Sequence, residues 1–278
     1  MSKLYLVGTP IGNLSDFSPR AIETLRTVDF IAAEDTRVTL KLLNRFEINK
    51  SMVSYYQHNL RERGEQIVAR ILSGESCALV TDAGMPAISD PGEDLVRLCA
   101  EAGIEIVSVP GPSAAVTALA MSGLSTSRFT FEGFISTNRQ SRREHLDSLA
   151  NERRTMIFYE APHKLRTTLD DLTAAFGEER RVALCRELTK LYEEVIRTTL
   201  GQAVARYKDE NAASPRGEFV LVIEGAPDIA VPTATIDQAV ALARALMAEG
   251  QSTSSAAKQA AQQTGCKKSD IYRQLAHE

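Results

Sequence analysis

The chain has 278 residues, 44% of them hydrophobic and 24% charged, with a formal net charge of −4. That length suits two domains and an appendage around an ordinary apolar core. The acid excess excludes a protein coated in basic surface for non-specific nucleic-acid binding.

No run approaches the ~20 apolar residues that span a bilayer. Lys3 enters at once into a strand-like run, where a secretory leader would place a basic segment and an apolar core. The four cysteines Cys77, Cys99, Cys185 and Cys266 lack C-x-x-C spacing. Neither disulfides nor a zinc or other metal site is expected, and a reducing cytoplasm fits.

In chain order, strands are predicted over 4–7, 30–33, 52–55, 77–81 and 105–109, with helices over 19–27, 36–46, 60–72 and 93–102. Ile22, Leu25 and Val28 recur at helical spacing, as do Ile67, Ile71 and Leu72. Alternation at this pace predicts a mostly parallel sheet with helices on both faces. The cues change near 121–139, where Gly123, Ser125, Thr126 and Ser127 read as a loop. A second α/β unit follows, with strands over 129–134, 155–159, 181–185, 193–198 and 218–224 and helices over 142–149, 164–176 and 200–208. Residues 226–235 hold two prolines without periodicity and read as a linker. The expected domains are therefore 1–120, 121–226 and 235–278.

The last segment predicts helices over 236–248, 252–263 and 270–276. Ser252 and Ser269 are expected as N-caps and Gly265 as a helix stop. Helix, glycine turn and basic second helix outline a helix-turn-helix. Contact with structured RNA, or simple packing, is favoured over groove recognition in DNA. Lys258, Lys267, Lys268 and Arg273 stand there against Asp270 and Glu278. Another basic patch holds Arg139, Arg142, Arg143, Arg153 and Arg154. Such runs suit a solvated helix face as well as a binding surface.

Ligands of an open α/β sheet gather beyond the carboxyl ends of its strands, and the unusual loops sit there. After the first strand comes V-G-T-P-I-G-N, residues 7–13, whose glycines permit tight turns; it matches neither G-x-G-x-x-G nor a Walker loop. After the second comes A-A-E-D-T-R, residues 32–37. There Asp35 can cap a helix, or a carboxylate can face substrate while Arg37 grips a phosphate. After the fourth comes T-D-A-G-M-P-A-I-S-D-P-G, residues 81–92, whose acids can bond a ribose or fix the loop. After the fifth comes V-P-G-P-S-A-A, residues 109–115, small enough to admit a flat ligand beside the next helix. The second half adds F-Y-E-A-P, residues 158–162, and R-E-L-T-K, residues 186–190. Arg186, Glu187, Lys190, Glu193 and Glu194 form either a surface ion network or one wall of an interdomain site.

Taken together, T-P-I-G-N-L, A-E-D-T-R, D-A-G-M-P with S-D-P-G, V-P-G-P-S-A, F-Y-E-A-P and R-E-L-T-K resemble the bacterial ribosomal RNA small-subunit methyltransferase I family, across nearly the whole chain and in order. The resemblance implies the tetrapyrrole-methylase fold: two α/β domains, a parallel sheet in the first and a mixed sheet in the second, plus a small C-terminal helical domain. It implies S-adenosylmethionine between the lobes, a homodimer, and 2′-O-methylation of a cytidine ribose in the decoding region of 16S rRNA. Carried over by position, the cofactor is expected at Thr9, Pro10, Asp82, Met85, Ser113 and Ala114, with Glu160, Thr189 and Glu218 added by fold-level correspondence.

The chain departs from the family at Met85, where threonine is usual. It departs again after Gly133-Phe134-Ile135, where Ser136, Thr137 and Asn138 replace the usual proline and lysine. Arg139, Arg142 and Arg143 are expected to supply that RNA contact.

A ribose hydroxyl is a weak acid, so much of the catalysis can be positioning. Bringing reacting atoms to about 3–3.5 Å is worth on the order of 7–11 kcal/mol. A general base adds ~10²–10⁴-fold. Its candidates are Lys190, if burial depresses its pKa, and Glu34 or Asp35; a protonated Lys190 would hold a phosphate instead. Asn59, beside His58, is expected to orient the ribose. The target nucleotide must leave its stack, which predicts a groove bordered by Arg37, Arg139, Arg142, Arg143, Lys267 and Lys268. The rivals are a methylase of the same fold acting on a tetrapyrrole or a modified histidine, and a non-catalytic RNA-binding regulator. The first loop, the acidic second loop and the basic terminal hairpin speak against the former. Four specialised strand-end loops speak against the latter.

Overall fold

The computed structural model describes residues 2–57, 60–208, 215–227, 235–248 and 250–276. The chain divides into two compact units, Met1–Ala226 and Pro227–Glu278. Among the described residues no helix is long and apolar enough to cross a membrane.

The first unit begins with five parallel strands, β1 (Leu4–Val7), β2 (Phe30–Ala33), β3 (Ser51–Ser54), β4 (Cys77–Val80) and β5 (Ile106–Val109). Their spatial order is β3-β2-β4-β1-β5. All four residues of β2 and of β4 are buried, as in a parallel sheet covered on both faces. Strand alternation sends Ile31, Ala33, Ala78 and Val80 to one face, packed with Ala21 and Leu25 of helix α1 (Pro19–Thr27) and Leu43 of α2 (Thr36–Arg45). Phe30, Ala32, Cys77 and Leu79 face the other way, against Ile67 and Ile71 of α3 (Leu60–Leu72) and Leu95 and Cys99 of α4 (Gly92–Glu101). Ser18 caps α1 by accepting from Ala21 N, with Pro19 in the first turn, and Asp35 caps α2 by accepting from Arg37 N.

The neighbours β1 and β4 therefore lead into helices on opposite faces. Their carboxyl edge is the topological switch point, where such sheets bind ligands.

The second sheet contains β6 (Phe129–Phe134), β7 (Thr155–Glu160), β8 (Arg181–Arg186), β9 (Glu194–Thr199) and β10 (Phe219–Ile223), in the order β6-β7-β10-β8-β9. The β6–β7 pair is parallel and the other three pairs are antiparallel, which makes the sheet mixed. Met156, Phe158, Leu184, Leu221 and Ile223 face outward onto α6 (Arg139–Ser148), α7 (Leu165–Phe176) and α8 (Leu200–Tyr207). Ile157, Ala183, Cys185, Val220 and Val222 face Ile11 of the first loop and Ala115, Ala118 and Leu119 of α5 (Ala114–Ser122).

Helix α5 thus follows the first sheet in sequence but packs on the second. Its sequence, AAVTALAMS, is largely apolar all round, but only the face of Ala115, Ala118, Leu119 and Ser122 is buried, and Val116 is exposed. The boundary expected at residue 120 falls inside it. Helix α6 begins three residues earlier than expected, because the Asn138 side chain accepts from Gln140 N and Ser141 N and so starts the turn there.

In the second unit, α9 (Ile236–Ala248), α10 (Thr253–Thr264) and α11 (Lys268–Ala276) share a small core of Ala239, Val240, Ala243, Leu246, Ala256, Ala257, Ala260 and Ile271. Ser252 caps α10 and Gly265 ends it in the left-handed conformation, as expected. Ser269 is not a cap. Asp270 N and Ile271 N both bond the Lys267 carbonyl, so the helix is already under way at Ser269.

The three turns above the parallel sheet meet through backbone. A Cβ placed on Gly8 would lie 2.7 Å from Gly111 Cα and 2.8 Å from Met85 Sδ. Gly8→Ala should therefore push the turns apart and cost about 1–3 kcal/mol, the usual price of overpacking. Denaturant unfolding of the variant against the parent measures it, and an unchanged midpoint would show that the approach is not close.

Candidate active site

Three of the strand-end loops converge on one another. Gly8 N donates to Val109 O at 3.0 Å, and Gly111 N donates to Met85 Sδ at 3.2 Å. Thr9 and Gly84 form an isolated antiparallel bridge, with Thr9 N to Gly84 O at 2.9 Å and Gly84 N to Thr9 O at 3.2 Å. Thr9 is buried, and its hydroxyl donates to Thr81 O at 3.2 Å. It staples the first loop to the long loop.

Beside this junction lies a cleft of about 570 Å³, within the usual range for small-molecule sites. The first half lines it with Ile11, Glu34, residues 81–85, Ile88, Ser89, Asp90, Ser113 and Ala114. The second half contributes Phe134, residues 159–162, Cys185, Leu188, Glu218, Phe219 and Val220. Of the residues expected at a cofactor, Asp82, Met85, Ser113, Ala114, Glu160 and Glu218 are on the wall. Thr9, Pro10 and Thr189 are not among the lining residues. The Met85 sulfur accepts from Gly111 N–H and so ties two loops together.

Three acids of the cleft behave differently. Glu34 accepts the Thr81 hydroxyl at 2.6 Å. Burial, and then the neighbouring Glu34 charge, raise the Asp82 carboxyl above its ordinary pKa; Asp82 Oδ1 accepts from Asp35 N at 3.2 Å. Asp90 is also raised by burial, against three backbone N–H groups that work the other way, from Ala87, Gly92 and Ile88. Those bonds hold Ala87 and Ser89 at φ of 68° and 65°, a conformation that costs of order 1–3 kcal/mol in a residue with a side chain. Asp90 fixes the loop, and of these three acids Asp82 and Glu34 are left to meet a ligand.

Asp35 is the N-cap of α2 and does not line the cleft. Its carboxylate takes Arg37 Nε at 3.0 Å, Arg37 Nη2 at 2.6 Å and Arg37 N at 2.8 Å. The Arg37 hydrogen bonds hold its pKa down to about 2. So weak a base, saturated by one arginine, does not fit the proton-accepting role expected as one option.

Lys190 also differs from expectation. Its Nζ donates to Glu187 Oε1 at 2.8 Å and to Glu218 Oε2 at 2.7 Å. Burial works against its charge, but those two hydrogen bonds and carboxylates outweigh it, and the pKa rises. The depressed pKa that a neutral base requires is absent. Lys190 is an ammonium tie across the R-E-L-T-K loop, where Glu187 and Thr189 both have positive φ.

Among the residues expected at RNA, Arg37 is 88% exposed, and Arg139 and Arg143 are exposed on α6. Arg142 is not available. It is 13% exposed, paired with Asp171, and its Nη2 donates to Thr168 Oγ1 at 2.8 Å. Thr168 in turn donates to Glu160 Oε2, so Arg142 supports a buried acid of the cleft. The helix turns it inward where its neighbours at 139 and 143 point out. Asn59, with His58, lies outside the described residues. Lys267 and Lys268 are exposed in the second unit, and Lys268 Nζ donates to Ser254 Oγ at 3.2 Å.

Sequence reasoning missed Phe134, Tyr159, Ile88 and Leu188 as wall residues. All four stand inside the segments singled out above, but no local pattern tells which side chains of a strand or loop meet another lobe.

The family described as Tetrapyrrole (Corrin/Porphyrin) Methylases matches residues 3–204. The chain is 49% identical over 272 residues to the ribosomal RNA small subunit methyltransferase I of Synechocystis sp., covering 98% of this chain and 96% of that one. It is 44% identical over 225 residues to the protein of the same name from Thermotoga maritima, covering 81% of this chain and 99% of that one. Among solved structures, diphthine synthase shares the fold with a TM-score of 0.59 at 15% identity, over 80% of this chain and 90% of that one. Uroporphyrin-III-C-methyltransferase from Thermus thermophilus does so with a TM-score of 0.56 at 20% identity, over 81% and 94%.

Because the folded-state pKa of Asp82 is raised, its ionised form opposes folding at pH above that value, and the cost vanishes below the unfolded pKa. Asp82→Asn keeps the acceptor for Asp35 N and removes the charge. It should raise the thermal midpoint at neutral pH and leave it unchanged in acid. A midpoint at neutral pH equal to or below the parent's would contradict this electrostatic account.

Proposed function

The chain belongs to the tetrapyrrole methylases and, within them, to the ribosomal RNA small subunit methyltransferase I family; from that premise we propose that it methylates the 2′-hydroxyl of a cytidine in the decoding region of 16S rRNA. It is an S-adenosylmethionine-dependent methyltransferase. The observation that carries the reading is the junction of the loops at Gly8, Thr9, Gly84, Met85 and Gly111 beside a cleft shared by both sheets.

The wall suits the cofactor. Asp82 and Glu34 offer acceptors for hydroxyl and ammonium groups, and the raised pKa of Asp82 marks a carboxylate that gains from a cationic or donating ligand. The first turn of α5, at Ser113 and Ala114, presents the positive end of a helix to a carboxylate. Ile11, Leu188 and Val220 supply apolar surface for the adenine. When bound, the cofactor supplies an electrophilic methyl group on a sulfonium centre.

The protein's own contribution is to place and deprotonate the ribose hydroxyl. Of the three base candidates, Glu34 is the one that lines the cleft as a carboxylate without a guanidinium partner. We assign it to accept the hydroxyl proton as the ribose oxygen bonds to the methyl group and the methyl–sulfur bond breaks. Arg37, Arg139 and Arg143 supply exposed charge for the phosphates on either side, and Lys267 and Lys268 are proposed to add contacts from the second unit.

Mass mapping of 16S rRNA from cells with and without the protein should show one ribose methyl group missing in its absence. A 2′-deoxy target should not be methylated in vitro. A methyl group found on a base atom would replace the 2′-O reading with another transfer. Lys190→Arg should retain most turnover and Lys190→Ala should lose it. Equal loss in both would restore a proton-accepting role to that residue. Arg139→Ala and Arg143→Ala should each lower the salt slope of RNA binding by about one, whereas Arg142→Ala should act through fold stability and donor affinity.

A further inference from the structure

Strand β6 carries one irregularity. Its register with β7 runs Phe131 opposite Ile157, then jumps so that Gly133 stands opposite Phe158 and Phe134 opposite Tyr159. Side chains alternate along a strand, so without this bulge Phe131 and Phe134 would point to opposite faces. With it, both share the face of Ile157 and Tyr159. Glu132, next along the strand, points outward and pairs with His145 of α6. Gly133 sits at φ 63°, a conformation that favours glycine, and a Cβ on it would approach Ser89 Oγ of the long loop to 3.6 Å. The end of β6 thus lies beside Ser89, and Phe134, Ile88 and Ser89 line the cleft together.

Phe134, placed there, is 60% exposed, more than any other large apolar residue of the cleft wall, with Ile88 next at 53%. It is not loose. Tyr159 meets Phe134 edge-on with centroids 5.5 Å apart, and Phe131 braces Tyr159 at 5.0 Å. The Tyr159 hydroxyl accepts from Ala115 N of α5 at 3.1 Å. A backbone irregularity, a positive-φ glycine and two backing rings therefore combine to present one aromatic face at the mouth of the cleft. The exposed Arg139 follows five residues later.

We infer that Phe134, with Ile88 as a second apolar surface, is the platform on which the base of the target nucleotide stacks once it leaves its helix. This rests on the functional reading above. A flipped base needs an apolar face to replace its lost stacking, and aromatic rings serve that purpose without regard to hydrogen-bond pattern. The wall formed by Asp82, Ser113 and Ala114 is left to the methyl donor. Phe134 is a positioning residue for substrate and does not touch the proton in transfer.

The test measures kcat and KM on 16S rRNA, and separately the dissociation constant of S-adenosylmethionine, for the full chain and for Phe134→Ala and Phe134→Tyr. Phe134→Ala should lower kcat/KM for RNA about five- to hundredfold, the range of one base–aromatic stack. Donor affinity should stay within about twofold, and Phe134→Tyr should restore kcat/KM to within about threefold. Parent-like kcat/KM in Phe134→Ala overturns the platform while the functional reading stands. An equal loss of donor affinity overturns it too, by moving the ring to the cofactor side. Absence of methyl transfer to rRNA by the unaltered protein overturns the functional reading, and the platform with it.

Discussion

The close approach of Gly8 to Gly111, backbone against backbone, determines where the turns above the parallel sheet can meet. With any side chain at residue 8, the loop after β1 would have to withdraw from the loop after β5. The Met85 sulfur, which now receives Gly111 N–H and lies against Gly8, would lose its place. The Thr9–Gly84 bridge then carries the same constraint to the long loop, and Asp90 holds the strained residues at its far end. The wall of the cleft is therefore assembled from a backbone bridge and from side chains that accept backbone N–H groups. Such a wall resists rearrangement, because each loop is pinned by another loop and by its own strand.

The charges divide along a similar line. Asp35 and Glu187 are satisfied within the protein: arginine hydrogen bonds hold the first low, and Lys190, with the Glu218 backbone N–H, lowers the second despite burial. Asp82 is raised by burial and by Glu34. A fold that keeps two carboxylates close together, with one destabilised, gives up some stability at that position. The disposition makes sense for a site that receives a cation or several hydroxyl donors. It also separates the acids that shape the loops from the acids that face the ligand, a distinction that residue type alone does not reveal.

Helix α5 links the two sheets. Its chain follows β5, its side chains join the core under β7, β8 and β10, and its first turn lines the cleft. The two halves of Met1–Ala226 thus share one apolar layer, with Ile11 of the first loop and Leu188 of the second-half loop in it. The Thermotoga maritima relative is matched over 99% of its length by 81% of this chain, so about a fifth of the present chain lies outside that match. The catalytic framework proposed here draws on Met1–Ala226, and the helical unit Pro227–Glu278 has a core of its own.

Much of this was legible in the residues. Period-two and period-3.6 patterns are local, so the strands at 4–7, 30–33 and 129–134 and the helices at 19–27, 60–72 and 236–248 could be placed without a fold, as could the caps at Ser252 and Gly265. The strand-end loops could be singled out because glycine, proline and acid in such density serve no ordinary turn. Tertiary structure alone decided the rest. It turned Arg142 inward while Arg139 and Arg143 stayed out, gave Lys190 two carboxylates that hold its proton, and emptied Asp35 of basicity through Arg37. It also set Phe134 on the cleft side of β6, through a bulge that depends on pairing with β7. Each of these outcomes turns on which partners lie within a few ångströms, and those partners are brought in from distant sequence by packing. A local pattern records how a segment folds, whereas the pKa, exposure and direction of a side chain belong to its neighbours.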